Sequence, residues 1–221
     1  MKLLFKAFTK FIMGLILVGA LLFIPAGTFC YINSWLFIVL LFTPMLVLGI
    51  ILFFKAPELL EKRLNVKENE NTQKGVVAIS GLLFIVGFIV AGLDFRFGWS
   101  FIPTPLVIIA SFILLIAYAM YAEVMRENAY LSRTIEVQKD QKVVDTGLYG
   151  IVRHPMYAVT LWLFLSIPVV LGSWWSLLCF SPYILVIVVR ILNEEKVLED
   201  GLDGYKEYKE HVKYRIIPFV W

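Results

Sequence analysis

Histidine and cysteine are among the scarcest residues in this chain, with two of each in 221 residues. The histidines are His154 and His211, whereas Cys30 and Cys179 fall within or beside apolar runs. Zinc and iron centres draw several ligands from these residue types, so the sequence predicts no metal site. Free cysteines behave as small apolar side chains, and we expect both to face lipid or to pack in the core rather than form a disulfide.

A glycine-rich phosphate turn is also missing. No Gly-x-Gly-x-x-Gly pattern follows a strand-like segment, which argues against a Rossmann-type methyltransferase or an ordinary dinucleotide fold. The net charge of +3 is small and gives no sign of a nucleic-acid partner. Polar groups are almost absent from the long apolar stretches, whereas transporters place such groups at mid-membrane. The sequence therefore argues against transport but leaves a non-enzymatic membrane scaffold open.

What the chain has in excess is apolar sequence, at 60% of residues and a mean hydropathy of +0.83. Uncharged stretches of about 20 residues are long enough to cross a bilayer. Four such stretches occur, at 11–31, 35–54, 76–93 and 101–122. The first follows three lysines and lacks a small-residue cleavage site, so we expect an uncleaved transmembrane helix rather than a signal peptide.

Two shorter apolar pieces follow, at 157–171 and 174–189. Only Gly172 and Ser173 separate them, which predicts a helical hairpin with a tight turn. Pro168 and Pro182 are expected to kink its arms. The predicted fold is an all-α, polytopic membrane bundle of one domain, in which 1–122 holds four transmembrane helices and 123–221 holds a cofactor-binding loop, the hairpin and a tail.

Lysine and arginine are concentrated near the N-terminus and in segments 55–74, 123–154 and 190–221. The intervening turns hold almost none, with Arg96 as the exception. Cytoplasmic segments of membrane proteins carry an excess of these residues. We therefore expect a multi-pass protein whose N-terminus, active-site loop and C-terminus are cytoplasmic.

Charged and aromatic residues gather at the two polar ends of the predicted hairpin: Arg153, His154 and Tyr157 at its start, and Arg190, Glu194 and Glu195 at its finish. A tight hairpin returns its second arm to the start of the first, so we expect one cavity holding both charge signs. Pro155 fits the first position of a helix, and free N–H groups there favour an anion. The alternative is that these charges only follow the positive-inside bias and form weak surface ion pairs.

Four short motifs follow one another in this half of the chain: Gly147-Leu-Tyr149, Arg153-His154-Pro155-x-Tyr157, Glu194-Glu195 and Gly204-Tyr205-x-x-Tyr208. In this order, over 137–221, they resemble the isoprenylcysteine carboxyl methyltransferase family, and related phospholipid methyltransferases share much of the pattern. The resemblance implies methyl transfer from S-adenosylmethionine to a lipophilic acceptor among membrane lipids. Carboxyl O-methylation of an isoprenylcysteine-like substrate is the expected reaction, with phospholipid N-methylation as an alternative.

The resemblance also implies roles for individual residues. Arg190 matches the arginine that holds the substrate carboxylate, and Arg153 is expected at the substrate as well. His154 is expected to act with Arg190 in catalysis, since an amine acceptor would have to lose a proton. The implied cofactor-binding residues are Gln138, Gln141, Lys142, Val143, Val144, Tyr149, His154, Pro155, Met156, Tyr157, Glu194 and Glu195.

Sterol and steroid reductases of membranes offer a rival interpretation, because their C-terminal regions have a similar Arg-His-Pro and terminal aromatic pattern. Such an enzyme would use NADPH, whose additional phosphate requires a basic cluster. The acidic pair Glu194-Glu195 and the Gly-Leu-Tyr-Gly run favour the methyltransferase instead, because the cofactor's sulfonium and amino group are cationic.

Overall fold

The computed structural model describes residues 2–64, 71–131 and 137–221, and within them it contains helices and no β-strand. Its elements are α1 (Lys2–Ala26), α2 (Ile32–Lys55), α3 (Pro57–Leu64), α4 (Asn71–Phe97), α5 (Thr104–Glu127), a 3₁₀ turn (Gly147–Gly150), α6 (Pro155–Leu171), α7 (Trp174–Phe180), α8 (Tyr183–Gly201) and α9 (Tyr205–His211). Five segments of these described residues are long and apolar enough to cross a membrane. The prediction of an all-α, polytopic membrane bundle is therefore confirmed.

The first four predicted spans correspond to α1, α2, α4 and α5, but their bounds differ. Helix α1 ends at Ala26 rather than Tyr31, because Gly27 takes a positive φ of 69° and its N–H turns back to the carbonyl of Phe23 at 3.0 Å. Helix α4 begins at Asn71, inside the segment predicted as a charged loop. Apolar runs mark only the lipid-crossing part of a helix, whereas the helical backbone continues into the polar boundary.

The hairpin turn forms where it was predicted. Gly172 adopts a left-handed conformation with φ 82°, and its N–H caps the end of α6. A side-chain carbon on Gly172 would lie 2.6 Å from the amide nitrogen of Asn33. The Ser173 hydroxyl then caps α7 by accepting the N–H of Ser176 at 3.0 Å. Two residues thus suffice to reverse the chain.

The second arm of the hairpin is interrupted at Pro182, within the single candidate span Trp174–Gly201. Helix α7 ends at Phe180 and α8 begins at Tyr183, with Pro182 at the N-cap of α8. Proline has no N–H to donate and clashes with the preceding turn, so the regular helix is interrupted here while Ser181 and Pro182 keep right-handed helical backbone angles. Pro168, by contrast, lies within a continuous α6.

An aromatic cluster packs the hairpin against α4. The ring of Phe84 meets those of Phe164, Phe180 and Tyr183 with centroid distances of 4.5, 5.1 and 5.9 Å, all at steep interplanar angles. Edge-to-face contacts of this kind are the favoured aromatic geometry. One side chain of α4 therefore touches α6, α7 and α8 and holds both arms in register.

A buried carboxylate ties the opposite end of the bundle together. Asp94 near the end of α4 is 2% exposed and accepts the N–H and hydroxyl of Ser100 at 2.7 and 2.6 Å. It also accepts the hydroxyl of Ser173 in the hairpin turn. Buried charged groups need such hydrogen bonds to offset lost hydration. Asp94 therefore joins α4, the connection before α5 and the hairpin turn. Cys30 is exposed, Cys179 is half-buried, and both are free.

Candidate active site

The two polar ends of the hairpin meet at Tyr157. This residue lies in the first turn of α6, and its hydroxyl donates to the carboxylate of Glu194 on α8. The same oxygen accepts the Nε–H of Arg190 at 2.9 Å. Arg190 and Glu194 are one helical turn apart and so share a face of α8. The hairpin therefore assembles a linked arginine, tyrosine and glutamate, as the short connection predicted.

Glu195, the next residue along α8, belongs to a different environment. It is 3% exposed and accepts from Arg153 Nε at 2.8 Å and from Arg215 Nε at 2.9 Å. The Nε2 atom of His154 lies 3.3 Å from the same carboxylate. A buried carboxylate with this many donors is well compensated. Glu195 therefore holds the tail against the hairpin instead of facing a ligand.

The tail also pairs with the chain just before α6. The main-chain N–H groups of Arg153 and His154 donate to the carbonyls of Tyr214 and Arg215 at 2.9 and 2.8 Å. Pro155 has no N–H at all. The tail thus fixes the residues just before α6, and the anion site predicted at this helix terminus stays a prediction.

A tight turn before α6 depends on Gly147. Its φ is +54°, a conformation that L side chains rarely adopt. A side-chain carbon there would lie 1.4 Å from Oε1 of Glu127, whose other oxygen accepts the Leu148 N–H at 3.0 Å. The absence of a side chain lets the end of α5 approach the turn closely.

Tyr149 follows in that turn and is held from two sides. Its hydroxyl accepts from the Asn128 amide at 3.0 Å, and its carbonyl accepts from the buried Tyr208 hydroxyl at 2.6 Å. Burial raises the pKa of Tyr149, so its hydroxyl stays protonated at neutral pH. The end of α5, the turn and α9 are therefore one connected wall.

This wall and the hairpin enclose a cavity of about 500 Å³. Polar residues line the end nearest the loop and tail: Gln141, Lys142, Tyr149, His154, Tyr157, Arg190 and Glu194. A large apolar wall comes from α2, α4, α6 and α8: Leu41, Met45, Leu48, Val76, Val77, Leu163, Phe164 and Val186. A cavity with one charged end and one apolar end, set in membrane helices, suits an amphiphilic ligand.

Most of the predicted site residues line this cavity: Gln141, Lys142, Val143, Val144, Tyr149, Arg153, His154, Met156, Tyr157, Arg190 and Glu194. Gln138, Pro155 and Glu195 are not among its lining residues. Gln138 instead accepts from Lys62 at 2.7 Å, and Pro155 is buried at the start of α6. Arg153 reaches the cavity wall, but its guanidinium is held by Glu195 and by two tail carbonyls at 2.8 Å each.

The N-terminal half of the chain also contributes residues to the cavity, which the sequence motifs did not indicate. Arg63 of α3 lines the cavity, donates to the Tyr121 hydroxyl and lies 5.4 Å from the centroid of that ring. Tyr118, one turn before Tyr121, lines the cavity as well. Two tyrosines at this spacing lie on one helix face. Their hydroxyl groups, on an otherwise apolar helix, were the feature of the sequence that could have indicated a cavity on this side of α5.

Metal ligands do not cluster anywhere in the described ranges, since no three His, Cys, Asp or Glu side chains come together there as a metal site would need. The polar end of the cavity is lined by one carboxylate, several cationic groups and tyrosine hydroxyls. Such a set can bind a ligand that itself carries both charge signs.

Comparison with protein families bears on the same stretch of chain. Residues 99–202 match the phospholipid methyltransferase family, and this segment contains α5, the 3₁₀ turn and the whole hairpin. A comparison with curated proteins gives no match. The matched segment includes Tyr157, Arg190 and Glu194. The part of the chain that builds the polar end of the cavity is therefore similar to a family of membrane methyltransferases that normally use S-adenosylmethionine, a family that includes isoprenylcysteine carboxyl methyltransferase-like proteins.

Proposed function

We propose that the protein transfers a methyl group from S-adenosylmethionine to the carboxylate of a lipophilic, isoprenylcysteine-like acceptor. The observation that carries this proposal is the linkage of Arg190, Tyr157 and Glu194 at the polar end of a cavity that also has a large apolar wall. The match of 99–202 to phospholipid methyltransferases supports methyl transfer over reduction by NADPH.

The residues around the cavity fit this cofactor. The cavity volume of about 500 Å³ lies within the range of roughly 300–1,000 Å³ typical of small-molecule sites. Glu194 offers a carboxylate for a sulfonium or ammonium group, and Lys142 offers a cation for a carboxylate. Val143 and Val144 add an apolar wall beside them. When bound, S-adenosylmethionine supplies an electrophilic methyl group.

The remaining residues position the two reactants. Methyl transfer is a displacement at carbon and depends chiefly on holding its partners at near-attack distance. Arg190 has the fork of donors that binds a carboxylate, and its Nε–H to Tyr157 fixes the direction of that fork. Tyr157 also orients Glu194, so the acceptor-binding cation and the cofactor-binding anion are held in one arrangement.

The contacts of His154 bear on the choice between a carboxylate and an amine acceptor. A carboxylate is already ionised and needs no base, whereas an amine must lose a proton. The Nε2 atom of His154 is 3.3 Å from the buried Glu195, and its Nδ1 atom is 4.0 Å from Glu194. Both ring nitrogens therefore already have a carboxylate neighbour on α8, and an amine acceptor would have to displace one of them to pass its proton to the ring. Phospholipid N-methylation is therefore the second candidate.

The apolar part of the cavity gives the acceptor its route. Residues from α2 and α4 reach this part from the membrane-spanning segments, so a lipid chain would enter from the bilayer while its head group meets Arg190. The distribution of lysine and arginine supports a cytoplasmic position for the N-terminus, the loop and the tail. The cofactor would then enter from the cytoplasm.

Saturable binding of S-adenosylmethionine to purified protein in detergent tests the proposal. We expect Glu194→Gln, which keeps the shape and removes the charge, to weaken binding by about tenfold or more, the value of one charged hydrogen bond. Glu199→Gln is the matched control, since Glu199 lies on the same helix and pairs with Lys209 away from the cavity. Equal affinities of the two variants, or binding of NADPH in place of S-adenosylmethionine by the wild type, would contradict the proposal.

A further inference from the structure

Tyr205 opens α9 and is 4% exposed, yet its buried hydroxyl has no hydrogen-bond partner among residues 2–64, 71–131 and 137–221. The residue lines the same cavity as Glu194 and Tyr157. A buried hydroxyl without a partner is costly, and native structures satisfy nearly all such groups. A bound ligand in the cavity would supply the hydrogen-bond partner that this hydroxyl lacks.

The surroundings of Tyr205 hold its ring firmly. It packs in a cluster with Leu202, Tyr208 and Val212, against Val143 of the loop. Burial, reinforced by the nearby carboxylates of Glu195 and Glu194, raises the pKa of the Tyr205 phenol. The hydroxyl thus keeps its proton and can donate a hydrogen bond. Its position is set by packing rather than by any polar contact.

Tyr208, one turn further along α9, shows what a structural tyrosine looks like in this place. Its ring centroid is 5.8 Å from that of Tyr205, and its hydroxyl donates to the carbonyl of Tyr149 at 2.6 Å. Both side chains belong to α9, are buried and line the cavity. They differ in that one hydroxyl is used by the fold and the other is not.

We infer that Tyr205 is a cofactor-binding residue of this site, whose hydroxyl donates a hydrogen bond to an acceptor atom of S-adenosylmethionine. This inference rests on the proposed function. The cofactor is the favoured ligand over the acceptor because Tyr205 packs with Val143 and lines the same cavity as Glu194. The apolar wall that would receive a lipid is built by other elements, chiefly α2 and α4.

A pair of tyrosine-to-phenylalanine variants tests this role. In Tyr205→Phe we expect roughly fivefold weaker S-adenosylmethionine binding, the value of one neutral hydrogen bond. The melting temperature of the protein without ligand should stay the same or rise, because an unpaired buried hydroxyl is removed. In Tyr208→Phe the melting temperature without ligand should fall, because the bond to Tyr149 is lost.

Two results would overturn the inference. The first is wild-type affinity for S-adenosylmethionine in Tyr205→Phe, which would mean that the hydroxyl does not meet the cofactor. The second is a fall in the ligand-free melting temperature of Tyr205→Phe equal to that of Tyr208→Phe, which would mean that the hydroxyl serves the fold. If the wild type binds no S-adenosylmethionine, the proposed function fails together with this inference, whereas the first result alone leaves the proposed function standing.

Discussion

Replacing Glu195 with glutamine should loosen the joint between the hairpin and the tail. The substitution keeps the size of the side chain but leaves two guanidinium groups, those of Arg153 and Arg215, facing a neutral amide. Arg153 is 7% exposed and Glu195 is 3% exposed, so this is a buried pair. Removing one partner of a buried ion pair costs about 3–5 kcal/mol, because the remaining charge stays desolvated.

The effect is measurable in two ways. Thermal unfolding in a fixed detergent should show a clearly lower transition for Glu195→Gln. Limited trypsin digestion should cleave faster after Lys213 and Arg215, because the tail detaches when its main buried contact is weakened. Glu199→Gln is the control, since its partly exposed pair with Lys209 is worth only about 0–1 kcal/mol.

The comparison between the two variants decides whether the buried network holds the tail. If Glu195→Gln and Glu199→Gln unfold at the same temperature and resist trypsin equally, the buried network does not hold the tail. Glu195 would then again be a candidate cofactor-binding residue, as the resemblance implied. A loss of S-adenosylmethionine affinity without any loss of stability would point the same way.

Two further substitutions test the walls of the cavity. Gly147→Ala should destabilise the protein by more than about 1 kcal/mol, because the turn needs a positive φ and the added carbon would collide with Glu127. A melting temperature equal to that of the wild type would show that the turn does not require glycine. Arg63→Gln should raise the KM for a carboxylate-bearing lipid acceptor by about tenfold at unchanged S-adenosylmethionine affinity, because it removes a cation from the cavity wall. Lys62→Gln removes the same charge from a neighbour that is not among the lining residues and should have little effect, so equal KM values for the two variants would refute a role for Arg63.

The hairpin was predictable because its cause is local. Two apolar pieces joined by Gly172 and Ser173 have no room for any connection but a tight turn, so their polar ends must be neighbours. The meeting of Tyr157 with Arg190 and Glu194 follows from that topology. The bounds of α1 and α4 were less predictable, because hydropathy reports the lipid-crossing part of a helix and not its full length.

The separate environments of Glu194 and Glu195 could not be predicted from their adjacency. Neighbouring side chains on a helix point about 100° apart, so one faces the cavity and the other faces the tail. Which of them does so depends on how α8 is rotated against α6, and aromatic packing around Phe84 contributes to that rotation. No motif in the sequence carries this information.

The sequence by itself determined the class of this protein. Inside a bilayer, the backbone N–H and C=O groups of a long uncharged apolar run find their hydrogen-bond partners within a helix. A two-residue link between two such helices can only turn the chain back on itself. The tertiary structure alone decided which side chains share the cavity. Arg63 and Tyr205 reach it from segments far apart in the chain, and Glu195 is withdrawn into the joint with the tail. Such contacts depend on the packing of whole helices against one another, which local patterns of residues do not encode.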